Sequence, residues 1–282
     1  MTPDPFELPE GLASRTRLND GAEMPVLGLG VYQTPVGERT FAAVAAALEA
    51  GYRSIDTAAL YGNEGDVGRA VRASGVPREE VFVTTKVWNS DQGYDRTLRA
   101  YRRSRELLDV GPVDLYLVHW PVRGRRTETW RALVELQRRG EVRSIGVSNF
   151  TADHLEELRR ESDVIPAVNQ VEFSPVVYQG ELLEYCRDRG IQLEAWAPLG
   201  RGRWVDHDGV QRIARGHGRT PAQVLIRWGL QHHVVEIPKS AQPVRIRENA
   251  QVGGFALTAA EMLALDRMRQ GVRTGWDPTD EP

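Results

Sequence analysis

The stretch VFVTTKVWNSDQGYDRTLRAYRRSRELLDVGPVDLYLVHW, residues 81–120, contains the unit that decides the fold. It begins and ends with apolar runs, 81–87 and 113–120, that are typical of short strands buried on both faces. The longer run between them mixes arginines, acids and apolar residues, as amphipathic helices do. Because strand–helix–strand connections are right-handed and join parallel strands, this stretch predicts a parallel α/β sheet.

The same alternation of strand and helix continues in both directions, at intervals of about 25 to 30 residues. The strand-like runs are PVLGLGV (25–31), YRSID (52–56), VFVTTKV (81–87), VDLYLVHW (113–120), RSIGVSN (143–149), AVNQVEF (167–173), QLEAWAP (192–198) and VVEIPKS (234–240). Helix-like runs include ERTFAAVAAALEAG (38–51), TADHLEELRR (151–160), TPAQVLIRWGL (220–230) and TAAEMLALDRM (258–268). Eight such units predict an eight-stranded parallel (β/α)8 barrel of the TIM type.

An open, doubly wound sheet is the alternative, and it needs a glycine-rich turn after its first strand. The run GLGVYQ offers Gly28 and Gly30 but no third glycine, so the dinucleotide fingerprint is absent. Ahead of the repeat, RLNDGAEMP (17–25) has an Asp-Gly pair typical of a hairpin turn, and we expect this hairpin to plug the barrel floor. No linker or change of composition interrupts the chain, which predicts one barrel domain over residues 1–282.

Composition argues against several classes of partner. The net charge is -3 and the arginines are interspersed with acids, so we expect neither a nucleic-acid nor a membrane partner. The single cysteine, Cys186, cannot form an internal disulfide or a zinc site, and we expect no metal. The opening MTPDPFELPE lacks the pattern of a secretory signal, which makes a cytoplasmic location the expectation.

Residues suited to chemistry follow the predicted strands. In a βα barrel the active site lies at the carboxyl-terminal ends of the strands. These ends carry Asp56, Lys86, His119, Ser148 with Asn149, Gln170, Trp196, and Lys239 with Ser240. Each has an ordinary explanation by itself, such as a turn aspartate, a surface lysine or a core histidine. Their concentration at one end predicts an active site.

Three of these side chains, together with Tyr61, suit proton transfer. Tyr61 follows Asp56 by five residues, and a tyrosine hydroxyl titrates near pH 10 when unperturbed. We expect Lys86 to lower the pKa of Tyr61, with Asp56 fixing the lysine and His119 holding a substrate oxygen. This cluster suits reduction of a carbonyl, with hydride from a cofactor.

The remaining strand ends suit that cofactor. Ser148, Asn149 and Gln170 provide the donors and acceptors that a carboxamide needs, and Trp196 provides a face for ring stacking. Lys239 and Ser240 precede a helix that Pro243 opens, a favourable place for a phosphate, and Arg245 adds a planar cation. By charge pattern alone, a solvated final helix is an equally good explanation of this last stretch.

The chain resembles the aldo-keto reductases over essentially its whole length. The matching motifs are GYRSIDTAALYGNEGDVG (51–68), VDLYLVHWP (113–121), GVSNF (146–150), the NQ of AVNQVEF (167–173) and IPKSAQPVRIREN (237–249). The resemblance implies a monomeric barrel enzyme that uses NADPH to reduce a small-molecule carbonyl, an aldehyde, ketone or keto-sugar. It implies that Tyr61 is the acid, tuned by Asp56 and Lys86, and that His119 orients the carbonyl.

The same resemblance assigns further contacts. The cofactor-binding set is Ser148, Asn149, Gln170, Trp196, Leu199, Gly200, Lys239, Ser240, Arg245, Glu248 and Asn249. The substrate pocket would be walled by Tyr32, Trp88, His119 and Trp120, with Trp276 of the tail as a further candidate. Within the family, the chain is most similar to bacterial 2,5-diketo-D-gluconate reductases, although Gln242 replaces a common phosphate-binding threonine or arginine and Ser174 a common histidine.

Two other functions stay open from the residues alone. Lys86 at a strand end could be the nucleophile of a Schiff-base lyase. A regulatory subunit could retain the barrel and the nucleotide site with little turnover, as the potassium-channel β subunits of this family illustrate. The physiological substrate is not determined by the sequence.

Overall fold

A computed structural model describes residues 8–279 of the chain. Residues 1–7, where we predict no secretory signal, and 280–282 lie outside the described part. The strands are β1 (Arg15–Arg17), β2 (Glu23–Pro25), β3 (Leu29–Gly30), β4 (Ser54–Asp56), β5 (Phe82–Val87), β6 (Val113–Val118), β7 (Val142–Ser148), β8 (Val168–Glu172), β9 (Gln192–Trp196) and β10 (Val235–Glu236). The α-helices are α1 (Glu38–Glu49), α2 (Glu64–Ala73), α3 (Tyr94–Leu108), α4 (Arg126–Arg138), α5 (Ala152–Glu161), α6 (Gly180–Asp188), α7 (Asp208–His217), α8 (Pro221–Gln231), α9 (Pro243–Ala250) and α10 (Ala259–Asp266).

Strands β3 to β10 form one sheet in chain order, and every adjacent pair is parallel. Parallel bridges from Leu27 to Glu236 and from Gly30 to Lys239 join the two outer strands and close the sheet. The predicted eight-stranded (β/α)8 barrel is therefore confirmed. Helices follow each strand, and two segments, after β9 and after β10, contribute a second helix each.

The two glycines of GLGVYQ lie beside the seam between β3 and β10. A Cβ on Gly28 would lie 2.9 Å from Oγ of Ser54, and one on Gly30 would lie 3.0 Å from the carbonyl oxygen of Ile237. Gly30 thus lets the backbones of the seam approach closely, and Gly28 leaves room for the side chain of Ser54 in β4. Both seam strands are shorter than the predicted runs because isolated bridges, rather than a continuous ladder, join them.

The hairpin β1–β2 covers the amino-terminal end of the barrel, as predicted. Gly21 adopts φ +90° in its turn, a conformation that favours glycine. Leu18 and Met24 are buried against the first residues of β5 and β8, Phe82 and Val168, in an apolar cluster that is separate from the main core. This end of the barrel is therefore a packed apolar floor.

Capping side chains begin the helices at the predicted residues. Thr151 and Thr220 each accept a hydrogen bond from the backbone N–H three residues later, and Pro221 occupies the first position of α8. Within residues 8–279, no helix combines the length and the apolar character needed to cross a membrane.

Candidate active site

The carboxyl-terminal ends of the barrel strands surround a cavity of about 1030 Å³. The predicted site residues that line it are Tyr32, Asp56, Tyr61, Trp88, His119, Trp120, Ser148, Asn149, Gln170, Trp196, Leu199, Lys239, Ser240, Arg245, Glu248 and Asn249. Two predicted residues do not line it. Lys86 is fully buried below the residues that line the cavity. Gly200 belongs to the loop that follows Leu199.

Lys86 is the centre of the buried polar contacts. Its Nζ lies 2.7 and 2.8 Å from the two carboxylate oxygens of Asp56 and donates to the carbonyl oxygen of Thr57 at 2.9 Å. Burial lowers the pKa of Lys86, but the nearby charges of Asp56 and Tyr61 outweigh burial and raise it overall. The side chain is therefore an ammonium with its donors directed at fixed partners.

The Tyr61 hydroxyl faces the cavity 3.5 Å from Nζ of Lys86. A one-turn 3₁₀ helix, residues 59–61, carries it out of β4, and Gly62 ends that turn with φ +68°. Burial raises the pKa of Tyr61 to about 12, although the Lys86 charge lowers it. The predicted lowering of this pKa is wrong in its net direction, because loss of hydration outweighs the ammonium. Tyr61 therefore keeps its proton at neutral pH.

His119 stands beside Tyr61 at the end of β6, with ring centroids 5.7 Å apart. Burial and the Lys86 charge hold the pKa of His119 well below its usual value, so the imidazole is neutral. Its Nδ1 atom is buried and has no hydrogen-bond partner among the described residues. A buried N–H without an acceptor is costly, which favours the proton on Nε2.

The amide side chains lie across the cavity from Tyr61. Asn149 has φ +65°, donates to the carbonyl oxygen of His119 at 2.9 Å and accepts from Nε1 of Trp196 at 2.9 Å. Ser148 donates to the backbone carbonyl of Gln170 at 2.8 Å. These bonds connect the ends of strands β6, β7, β8 and β9 along the rim of the cavity. Trp196 lies on this rim and is only partly buried.

Gln170 has a partner that sequence reasoning missed. Its Nε2 atom donates both to Asp56 at 2.8 Å and to Glu194 at 2.7 Å. Burial and the Asp56 charge raise the pKa of Glu194 from 4.5 to about 8, so this carboxyl is neutral below that pH. Strand alternation could have identified Glu194, since it lies two residues before Trp196 and shares its inward face.

A basic wall bounds the other part of the cavity. Its cations are Arg201, Lys239 and Arg245, from the segments after β9 and β10. Lys239 and Arg245 have no carboxylate partner among residues 8–279. Ser240 accepts from the backbone N–H of Gln242 and so orders the turn that begins α9. Free cations beside a helix N-terminus fit an anionic ligand such as a phosphate.

Among the described residues, no group of three or more His, Cys, Asp or Glu side chains could hold a metal ion. The chemistry that this arrangement offers is proton donation from Tyr61 to an oxygen atom that His119 can also reach.

Comparisons with known proteins point to one family. The model of the Aldo/keto reductase family matches residues 26–270. A glyoxal reductase of Bacillus subtilis (strain 168) is 48% identical over 273 residues, which cover 97% of this chain and 99% of the relative. A 9,11-endoperoxide prostaglandin H2 reductase of Trypanosoma cruzi (strain CL Brener) is 50% identical over 264 residues, 93% of each chain. The crystal structure of a Gox0644 mutant in complex with NADPH has a TM-score of 0.91 at 46% identity and covers 95% of this chain and 98% of its own.

Proposed function

The chain belongs to the aldo/keto reductase family, and we propose that it reduces small, uncharged aldehydes and ketones to alcohols with NADPH. The observation that carries the proposal is the Tyr61 hydroxyl, held 3.5 Å from the Lys86 ammonium in the same cavity as neutral His119. The Gox0644 relative binds NADPH, which supports the choice of cofactor.

Tyr61 donates the proton. With its pKa raised to about 12, the hydroxyl stays protonated until a strongly basic oxygen develops on the substrate. The Lys86 ammonium then stabilises the tyrosinate, and Asp56 keeps the ammonium in place. Neutral His119 donates a hydrogen bond to the substrate oxygen and orients the carbonyl toward Tyr61.

NADPH supplies hydride when it is bound. Lys239, Ser240 and Arg245 would hold its phosphates, because they form the basic wall and the turn that begins α9. Ser148, Asn149 and Gln170 would bind its carboxamide group. Trp196 would stack on the nicotinamide ring to which this group is attached. The remaining contacts we assign to it are Leu199, Gly200, Glu248 and Asn249.

Two observations support an uncharged substrate. The walls near Tyr61 are aromatic, from Tyr32, Trp88, Trp120 and Trp276. The lysines and arginines that line the cavity come only from the segments after β9 and β10, where we place the cofactor. A glyoxal reductase among the relatives agrees with an uncharged carbonyl substrate. A 2,5-diketo-D-gluconate type of substrate carries a carboxylate, which would have to pair with a cation such as Arg201, whose guanidinium carbon lies 5.8 Å from the centre of the Tyr32 ring.

Lyase chemistry at Lys86 fits the geometry poorly. A Schiff base needs a neutral, accessible amine with a lowered pKa. The pKa of Lys86 is raised, its ammonium has three oxygen partners within 2.9 Å, and it lies outside the cavity lining. A regulatory subunit without turnover would not need this cluster intact.

The test is loss of NADPH absorbance with methylglyoxal, benzaldehyde and 2,5-diketo-D-gluconate, comparing wild type with Tyr61→Phe. We expect kcat to fall about 10²–10⁴-fold, the usual contribution of a general acid. Tyr94→Phe makes the same chemical change on the outer helix α3 and should retain full activity. If Tyr61→Phe turned over its best substrate as fast as wild type, the proton donor would be another group.

The cofactor contact has its own test, the binding of NADPH and NADH measured by tryptophan fluorescence. Arg245→Ala should weaken NADPH about tenfold and leave NADH nearly unchanged, because the two cofactors differ only in the 2′-phosphate. Arg247→Ala is the matched control, since Arg247 on the same helix pairs with Glu49 outside the cavity. Equal weakening of both cofactors would contradict the phosphate role.

A further inference from the structure

Glu172, the last residue of β8, is a buried carboxylate bonded to the tail of the chain. Its side chain is on the inward face of the barrel mouth, and the residue is 1% exposed. Oε1 accepts the backbone N–H of Thr274 at 2.8 Å and also the Thr274 hydroxyl, and Oε2 accepts the N–H of Gly275 at 3.4 Å. Both oxygens are thus occupied by a segment about a hundred residues away in sequence.

The same tail segment has weaker attachments on either side. The N–H groups of Gln270 and Gly271 donate to the carbonyl oxygen of Val176 at 3.1 and 3.3 Å. Arg273 donates to Gln179 at 3.4 Å, and Gln179 in turn donates to the backbone oxygen of Glu172. Of the three residues that accept hydrogen bonds from this tail segment, Glu172, Val176 and Gln179, only Glu172 has a buried carboxylate bonded to residues 274–275. We therefore take Glu172 as the strongest anchor of the segment.

The anchor places Trp276 above the carbonyl site. The Trp276 ring lies 5.4 Å from that of Trp120 and 6.2 Å from that of Trp88, and Trp88 in turn packs edge-on against His119 at 5.1 Å. Trp276 is 53% exposed, so these ring contacts cover less than half of it. A half-exposed side chain in a terminal segment keeps one position only if its backbone is held.

We propose that Glu172 is a specificity-determining positioning residue, which holds Trp276 against Trp88 and Trp120 and so favours flat aromatic carbonyl substrates over small aliphatic ones. The inference rests on the proposed reductase function for its kinetic consequence. A flat aryl ring gains contact with the fixed indole of Trp276, whereas a two- or three-carbon dicarbonyl reaches only Tyr61 and His119.

The first experiment measures the anchor without any turnover. Trypsin cleavage after Arg273 breaks the peptide bond to Thr274, whose N–H Glu172 holds, and mass spectrometry reports the released tail. We expect Glu172→Gln to be cut there roughly tenfold faster than wild type, because an amide cannot accept all three bonds. Glu181→Gln, an exposed acid at the start of α6, is the control and should match wild type. An unchanged rate in Glu172→Gln would overturn the anchor.

The second experiment compares kcat/KM for benzaldehyde and methylglyoxal. In Glu172→Gln we expect a loss of roughly tenfold for benzaldehyde, mainly in KM, and a change of less than about twofold for methylglyoxal. Thr274→Val, which leaves the barrel intact and removes one of the three bonds, should give a smaller loss in the same direction. Equal losses for both substrates would mean that Glu172 supports the barrel and not specificity.

A double-mutant cycle with Trp276→Ala isolates the route of the effect. If Glu172 acts through Trp276, the double variant should be no worse for benzaldehyde than Trp276→Ala alone. Additive losses would contradict the proposal. If no carbonyl were reduced by wild type while the trypsin result held, the reductase function would fail and the anchor would stand.

Discussion

The two ends of the barrel are built from the same strands and differ in almost every other respect. At the amino-terminal end, Leu18 and Met24 of the hairpin pack with apolar residues such as Phe82 and Val168. At the carboxyl-terminal end, the same strands present Lys86, Asp56, Glu194 and their amide partners, all buried. The amino-terminal end stabilises the barrel by apolar packing. The carboxyl-terminal end carries the free-energy cost of burying the polar and charged groups that the proposed chemistry requires.

Backbone strain is more frequent at the carboxyl-terminal end than at the amino-terminal end. Six residues other than glycine have positive φ in the described part of the chain, and four of them line the cavity: Gln33, Asn149, Ala197 and Arg201. At the amino-terminal end, Gly21 occupies the positive φ of the hairpin turn without strain, and the other two residues, Asp109 and His233, precede β6 and β10. The difference indicates that strain is tolerated where function needs a particular backbone path.

The largest effect should come from breaking the buried pair at the mouth. Lys86→Met leaves the Asp56 carboxylate buried without a cation, so we expect the free energy of unfolding to fall by about 3–5 kcal/mol. We expect kcat to fall about 10²–10⁴-fold as well, since the tyrosinate that forms at Tyr61 loses the ammonium that stabilises it. Urea unfolding and the NADPH assay measure the two effects.

The double variant with Asp56→Asn is the control for Lys86→Met. It should recover most of the stability and none of the activity, because it removes the unpaired charge but not the need for the ammonium. Recovery of activity would contradict the tuning role of Lys86.

A substitution at the amino-terminal end of the barrel should lower the free energy of unfolding by a similar amount without lowering kcat. Met24→Ala opens a cavity in the apolar cluster and should lower the free energy of unfolding by about 2–5 kcal/mol. The kcat of the folded protein should not change, because no cavity-lining residue moves. Leu107→Ala, at an exposed leucine, should change the free energy of unfolding by less than about 0.5 kcal/mol. A fall in kcat for Met24→Ala would show that the two ends are not independent.

The raised pKa of Glu194 predicts how the free energy of unfolding depends on pH. Its pKa is about 8 in the folded protein and near 4.5 when unfolded, so the unfolded chain releases the proton first as pH rises. Stability from this group is therefore full below about pH 4.5 and is lost between there and about pH 8. Glu194→Gln should remove up to about 1.4 kcal/mol per pH unit of that slope.

Denaturant unfolding at several pH values measures the Glu194 slope. Glu236 is also buried with a raised pKa, and the Glu194 charge contributes to that raise, so the difference between the two proteins reports Glu194 together with its coupling to Glu236. Glu181→Gln should leave the slope as in wild type. Parallel pH profiles for wild type and Glu194→Gln would contradict the raised pKa.

The smallest effect should come from relieving strain at the mouth. Ala197 has φ +53°, so Ala197→Gly should stabilise the fold by up to about 1 kcal/mol, partly offset by the greater freedom of the unfolded chain. Ala50→Gly makes the same change at a residue with φ −74° and should destabilise by about 0.5–1 kcal/mol. The same sign in both variants, measured by urea unfolding, would mean that Ala197 is not strained.

The residues that sequence reasoning found and those it missed differ in a physical way. Asp56, His119 and Trp196 each lie at the end of a recognisable strand, where the barrel architecture itself assigns a location. Alternation along β9 predicts that Glu194 faces inward but not which residues it contacts, and the partners of Glu172 come from the tail, so neither set of contacts has a local signal. The direction of the Tyr61 pKa was also missed, because the degree of burial depends on the whole cavity.

By itself the sequence determined the order of strands and helices, the hairpin at the floor, and which side chains stand at the carboxyl-terminal strand ends. Periodicity and turn chemistry act over a few residues and can be read directly. Only the tertiary structure decided that Gln170 joins Asp56 to Glu194, that Glu172 holds residues 274–275, and that burial outweighs Lys86 at Tyr61. Those outcomes depend on distances across the closed barrel and on exclusion of water, and neither exists until the chain has folded.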